Sequence, residues 1–162
     1  MAAGSTYTPI ATTTLGSATA SVTFNSFSGY TDIVAVLNPT RVTADTNATI
    51  RFNSDSGTNY SWTQIYGDGT SAISDRTTNA TYINLGYTNT TQPAKIVYIQ
   101  NYGNSSTYKT VLVRHSNAST VAQAIVGMWR NTAAITSITF ALSDGNNLAA
   151  GSTFTLYGIA AA

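Results

Sequence analysis

Apolar side chains in this chain recur at every second residue or in short runs, and turn-forming residues interrupt them about every ten positions. An amphipathic helix needs its apolar stripe at three- and four-residue spacing, and no stretch longer than a turn or two has it. The pattern predicts strands. Ala20-Ser-Val22-Thr-Phe24 alternates cleanly before the turn Ser28-Gly29-Tyr30, and Ala48-Thr-Ile50-Arg-Phe52 alternates before Asp55-Ser-Gly57. Ile33-Val-Ala-Val-Leu37 and Lys95-Ile-Val-Tyr-Ile99 are apolar on both faces, as central strands are, and Asn38-Pro39 stops the first. Further extended segments are read at 7–15, 60–66, 81–85, 108–113, 122–129, 135–142 and 153–159, with a short helical turn at 119–124. Asp-Gly and Asn-rich turns between them tolerate the positive φ of tight hairpins. The whole predicts an all-β fold, an antiparallel β-sandwich, jelly-roll-like, of about 8–11 strands. Its core is expected from Val22, Phe24, Val34, Val36, Ile50, Phe52, Ile96, Tyr98, Val111, Val113, Ile138, Phe140, Phe154 and Leu156.

Composition agrees with sheet and narrows the function. Serine, threonine and asparagine fill 60 of 162 positions, charged residues only 8%, and glutamate is absent. With 43% hydrophobic residues the chain has the apolar surface that disordered polar tracts lack. Residues 1–162 fit a single β-sandwich domain with a short N-terminal arm of about eight residues, 1–8. A globule of this size buries roughly 70% of its unfolded surface, enough for a core without staples. Cysteine is absent, so disulfides and thiolate metal sites are excluded, in keeping with assembly in a reducing cytoplasm. A net charge of +1 offers no footprint for nucleic acid or an anionic membrane. The first residues have neither the basic nor the apolar region of a secretory signal, and no apolar run is long enough to span a bilayer. So weakly charged a surface favours association with other proteins.

The inventory for catalysis is thin. His115 is the one histidine, so any triad or histidine-shuttled mechanism must pass through it, and its setting between Arg114 and Ser116-Asn117 reads as a sheet margin. Glycoside hydrolysis needs two facing carboxylates. Of the six aspartates, Asp55, Asp68 and Asp144 sit in glycine turns, where aspartate serves the backbone. Asp68 and Asp75 with Ser71 or Ser74 could gather oxygens for calcium, but the alternating acidic loop of a specific site is missing. The expectation is no enzyme, no metal and no cofactor. The aromatic residues are more telling. Tyr60, Trp62 and Tyr66 share one strand face by parity, and such a stripe either stacks on sugar rings, fills an interface or packs the core. The candidate interface or binding residues are Tyr7 and Ile10 near the N-terminus, this stripe, Tyr87, and Trp129 beside Arg130.

Several blocks resemble segments of virion structural proteins from tailed bacteriophages, including phages of cyanobacteria. They are Ala20-Ser-Val22-Thr-Phe24-Asn-Ser, Tyr30-Thr-Asp32-Ile-Val34, Arg51-Phe52-Asn53 with Ser56-Gly57-Thr-Asn-Tyr60-Ser61, and Lys109-Thr-Val111-Leu. Trp129-Arg-Asn-Thr-Ala133-Ala-Ile135-Thr-Ser-Ile138-Thr and Ala150-Gly-Ser-Thr-Phe154-Thr-Leu156-Tyr-Gly-Ile159 extend the likeness along the chain. The resemblance implies a β-sandwich subunit on the outer capsid surface of a virion assembled in the host bacterial cytoplasm. There it is a decoration (cement) protein that binds the major capsid protein and stabilises the assembled head. The alternative it implies is a tail-fibre, tip or receptor-binding subunit that joins tail-fibre proteins and recognises a host surface glycan. It carries over no particular functional residue. The chain shows no anchor, coiled coil or repetitive shaft, which favours the compact cap. A homotrimer with closed cyclic symmetry is expected by analogy and geometry.

Overall fold

In β2 (Ser21–Asn25) Val22 and Phe24 turn inward while Ser21, Thr23 and Asn25 face water, which is the sequence alternation made physical. A computed structural model describes residues 6–41, 45–91, 94–117 and 120–160. The other strands are β1 (Tyr7–Thr14), β3 (Asp32–Asn38), β4 (Thr46–Phe52), β5 (Tyr60–Gly67), β6 (Ala72–Ala80), β7 (Ile83–Thr88), β8 (Ala94–Ile99), β9 (Lys109–Asn117), β10 (Val121–Trp129), β11 (Ser137–Leu142) and β12 (Thr153–Ile159). No helix is formed among the described residues. All pairings between named strands are antiparallel, in an eight-stranded sheet β1-β12-β3-β8-β9-β10-β5-β6 and a four-stranded sheet β2-β11-β4-β7.

With the hairpins β5–β6 and β9–β10 set aside, the remaining strands alternate between the two sheets along the chain, except that β4 and β7 follow one another in the smaller sheet. The orders β1-β12-β3-β8 and β2-β11-β4-β7 are those of a jelly roll, two interleaved Greek keys. Both hairpins extend the larger sheet beyond β8, so that it overhangs the smaller one. The core lies between the sheets, with Phe52, Ile50, Phe140, Phe154, Leu156, Val111 and Val113 all buried.

Three expectations are corrected. Strand β6 was not foreseen, because all but two of its nine residues are exposed and an edge strand with two wet faces carries no apolar signal. The helical turn at 119–124 is absent where it is described: Val121–Trp129 is strand, and Ser119 lies outside the described residues. The core of β3 and β8 has the opposite parity to that expected. Ile33, Ala35, Leu37, Val97 and Ile99 are fully buried, whereas Val36, Ile96 and Tyr98 face outward and are half-buried; Val34, also on the outer side, is buried as expected. A strand apolar on both faces does not say which face is covered. Strand β1 begins at Tyr7, as the segment read at 7–15 expects, with Tyr7 and Thr8 paired to Ile159 and Gly158; residues 1–5 of the arm lie outside the described residues.

Candidate functional site

Strand β5 passes from the core into the overhang, and its inward-facing residues change role along the way. Tyr60 is fully buried; its ring stacks on Trp129 with centroids 6.4 Å apart and an interplanar angle of 18°, and its hydroxyl donates to the Asp55 carbonyl at 3.1 Å. Burial pushes this phenol up to about 12. Trp129 is also buried, and its Nε1 donates to Asp55 Oδ2 at 2.7 Å. These two aromatic residues belong to the core, the last of the fates left open for them by the sequence, and are not exposed to a partner. Further out, the small sheet no longer covers β5. Trp62 and Tyr66 line a half-open cleft of about 570 Å3 bounded by β4, β5, β6, β7 and β10.

Close packing fixes the wall of this cleft. Strand β7 packs across β10 because Gly127 has no side chain: a Cβ there would lie 2.4 Å from Ile83 Cγ2. Gly86, at φ +87°, lets the chain pass beside Gln123 and His115, where a Cβ would lie 2.5 Å from Gln123 Oε1. That course sets Tyr82, Asn84 and Tyr87 beside the floor residues Trp62, Gln64 and Tyr66.

An amide–carboxylate chain holds the floor. Gln64 Nε2 donates to Asp75 Oδ2 at 2.9 Å, and Gln64 Oε1 accepts from Asn84 Nδ2 at 3.4 Å and from Gln123 Nε2. Asn84 Oδ1 accepts from the Gly86 amide at 2.8 Å, which ties the chain to the backbone of β7. Trp62 Nε1 and Gln123 Oε1 are buried with no hydrogen-bond partner among the described residues. At the rim, Asp68 Oδ1 accepts from the Ser71 amide at 2.7 Å and from the Thr70 amide and hydroxyl, which holds its carboxyl down at about 2. The Tyr87 phenol is pushed up to about 12, first by its hydrogen bond with the Asp45 carboxylate.

The remaining candidates fall elsewhere. Tyr7, on edge strand β1, is 47% exposed and meets Tyr157 edge-on, while Ile10 packs partly against the core. Arg130 donates to the Thr58 carbonyl at 2.6 Å and to Asn79 Oδ1 at 2.8 Å, so it braces the β5–β6 side. The structure therefore brings Trp62, Tyr66 and Tyr87 together and leaves the others apart. Tyr87 lies in β7, which runs past the segment read at 81–85. Gln64, Asn84, Gln123 and Tyr82 were missed because amides and tyrosines are common throughout this chain. Only Gln64, midway between Trp62 and Tyr66 by parity, carried a signal.

His115 is not at a wet margin. It is 3% exposed on the inner face of β9, opposite Lys95 of β8. Lys95 Nζ donates to the Gly86 and Tyr87 carbonyls, and burial pushes it down to about 6. Burial first, and then the Lys95 charge, push His115 down to about 4; Gln123 is near enough to oppose this shift without a well-formed hydrogen bond to the ring. Among the described residues no three histidines or carboxylates converge as a metal site would require.

The outer face of the eight-stranded sheet is the other conspicuous surface. One cross-strand row reads Pro9, Tyr157, Val34, Tyr98, Leu112, Val126 and Thr63, and in the next Ile65, Ala124, Arg114, Ile96 and Val36 stand side by side. Ile65 is 62% exposed and Val126 51%, and nothing in the described chain covers them. Arg114 lies over the Tyr98 ring and donates to its hydroxyl at 2.9 Å. Neither a known protein family nor a curated protein matches this chain.

Proposed function

We propose that this protein is a non-enzymatic structural subunit of a tailed-bacteriophage virion, a decoration protein that binds the outer surface of the assembled head. The observation that carries this reading is the apolar outer face of the larger sheet. Strands β3 and β8 are apolar on both sides, and among the described residues the smaller sheet packs against only one of them. Eight strands at about 4.8 Å spacing, each with some six residues of about 3.3 Å rise, give that face on the order of 700 Å2. A stable interface takes about 800 Å2 from each partner, so the face is of the right order for docking on a protein lattice. The near absence of charge in its two central rows suits desolvation. The block resemblance to virion proteins points the same way. In a cyclic trimer, three such faces would bridge neighbouring capsomers, and binding only to the assembled shell would stabilise it by mass action.

Particles stripped of the protein should rupture at lower temperature and regain resistance when it is added back. Ile65→Asp with Val126→Asp should abolish the rescue while the isolated protein keeps its melting temperature. Rescue by the double variant would remove the outer face from the account. A second reading, a tail-tip subunit that recognises a host surface glycan, is favoured by the aromatic cleft. Labelled protein that binds tails and leaves heads bare would select it.

A further inference from the structure

We infer that the cleft between β5–β6 and β7 is a binding site for a neutral saccharide chain, wherever on a particle the protein sits. Four aromatic side chains, Trp62, Tyr66, Tyr82 and Tyr87, line a half-open space of about 570 Å3. That volume is within the range of small-ligand sites, and the open side admits an internal segment of a polymer as well as an end. Aromatic faces carry negative charge at their centres, which suits the slightly positive C–H faces of a pyranose ring. The groups between the rings match the other half of a sugar, its hydroxyl edge. Gln64, Asn84, Gln123 and Asp75 present amide and carboxylate groups already locked to one another, so little side-chain freedom is lost on binding. Trp62 Nε1 and Gln123 Oε1, with no hydrogen-bond partner among the described residues, are buried within the side chains that form this floor.

Charge selects the class of sugar. The lining includes Asp68 and Asp75 and neither lysine nor arginine. Uronates, sialic acids, sulfated sugars and nucleic-acid phosphates would meet carboxylates with no cation to offset them. Neutral hexoses and N-acetylhexosamines meet no such repulsion. The catalytic alternative finds no support in the same geometry, because the Asp68 Oδ1 oxygen is occupied by turn hydrogen bonds and His115 is buried beneath β7.

The test is a titration of the full-length protein with neutral hexose and N-acetylhexosamine oligosaccharides. Uronate oligomers and a proline-rich peptide serve as competing classes. Trp129 is buried in the core, so a Trp129→Phe background isolates the emission of Trp62 as a local reporter. Expected is a saturable change in that emission with at least one neutral oligosaccharide. Affinity should weaken about tenfold or more in Tyr66→Ala and in Gln64→Ala, the loss of one stacking ring or one hydrogen-bonding group. Both variants are checked for an unchanged circular dichroism spectrum. Trp62 also packs against the core, so it is kept as the reporter and Tyr66→Ala tests the stacking. No binding across the neutral panel, binding that survives both substitutions, or preference for the uronates or the peptide would each overturn the inference. None of these outcomes bears on whether the outer face docks on a head.

Discussion

Lys95 and His115 face each other across the β8–β9 ladder in the buried interior, and among the described residues neither has an ionic partner. Their shifted ionisation sets a pH dependence whose sign follows from proton counting. Lys95 is pushed from 10.5 down to about 6, so between those values the unfolded chain holds a proton that the folded chain has released. Stability therefore rises with pH across that window. His115, moved from 6.5 down to about 4, acts with the same sign in its own lower window. Above pH 10 the sign reverses, because Tyr60 and Tyr87 keep their protons to about 12 when folded. Melting temperatures should climb from pH 4 towards 10 and then fall, and Lys95→Met should flatten the part between 6 and 10. A melting temperature independent of pH in wild type would contradict this burial. The sequence names both residues but not their pairing: a lysine at the head of an apolar strand reads as an exposed end. Likewise the shared parity of Tyr60, Trp62 and Tyr66 was legible, yet where the cover over them ends depends on another strand.

At the level of elements, the cleft exists because β7 lies across β10, and that contact rests on the missing side chain at Gly127. Gly127→Ala should destabilise the protein by about 1–3 kcal/mol, the usual penalty of overpacking. Ile83→Ala should recover part of the loss in a double-mutant cycle read by chemical denaturation; strict additivity of the two changes would refute the contact. The β5–β6 hairpin differs from the rest of the sheet in having almost no buried face on β6. Its amides should exchange with solvent faster than those of β3 and β8, which are flanked on both sides. Equal protection of β6 and β3 would show a covering that the chain alone does not supply. Asp75 and Arg76 on β6 guard its open edge, as charges on edge strands do. Those same polar residues made the strand invisible to a reading by apolar period, whereas β2, with one wet and one dry face, was plain from Val22 and Phe24 alone.

For the molecule as a whole, the eight-stranded sheet leaves a broad apolar face in water, and such faces drive association. Purified wild-type protein should self-associate with rising concentration in sedimentation experiments, while Ile65→Lys with Val126→Lys stays monomeric. A wild-type monomer at every concentration would count against self-association through this face. What the sequence determined by itself was the class of fold, since a period of two and turn residues at regular spacing are local properties of the chain. It also set the general setting of turns, where Asp55, Asp68 and Asp144 hold neighbouring amides as their glycine partners suggest. Only the tertiary structure decided which face of β3 and β8 is dry, how far the larger sheet overhangs the smaller, and hence which aromatic residues are core and which line a cleft. The reason is physical: parity assigns a side chain to a face, but burial depends on what lies opposite, and strands far apart in the chain supply that.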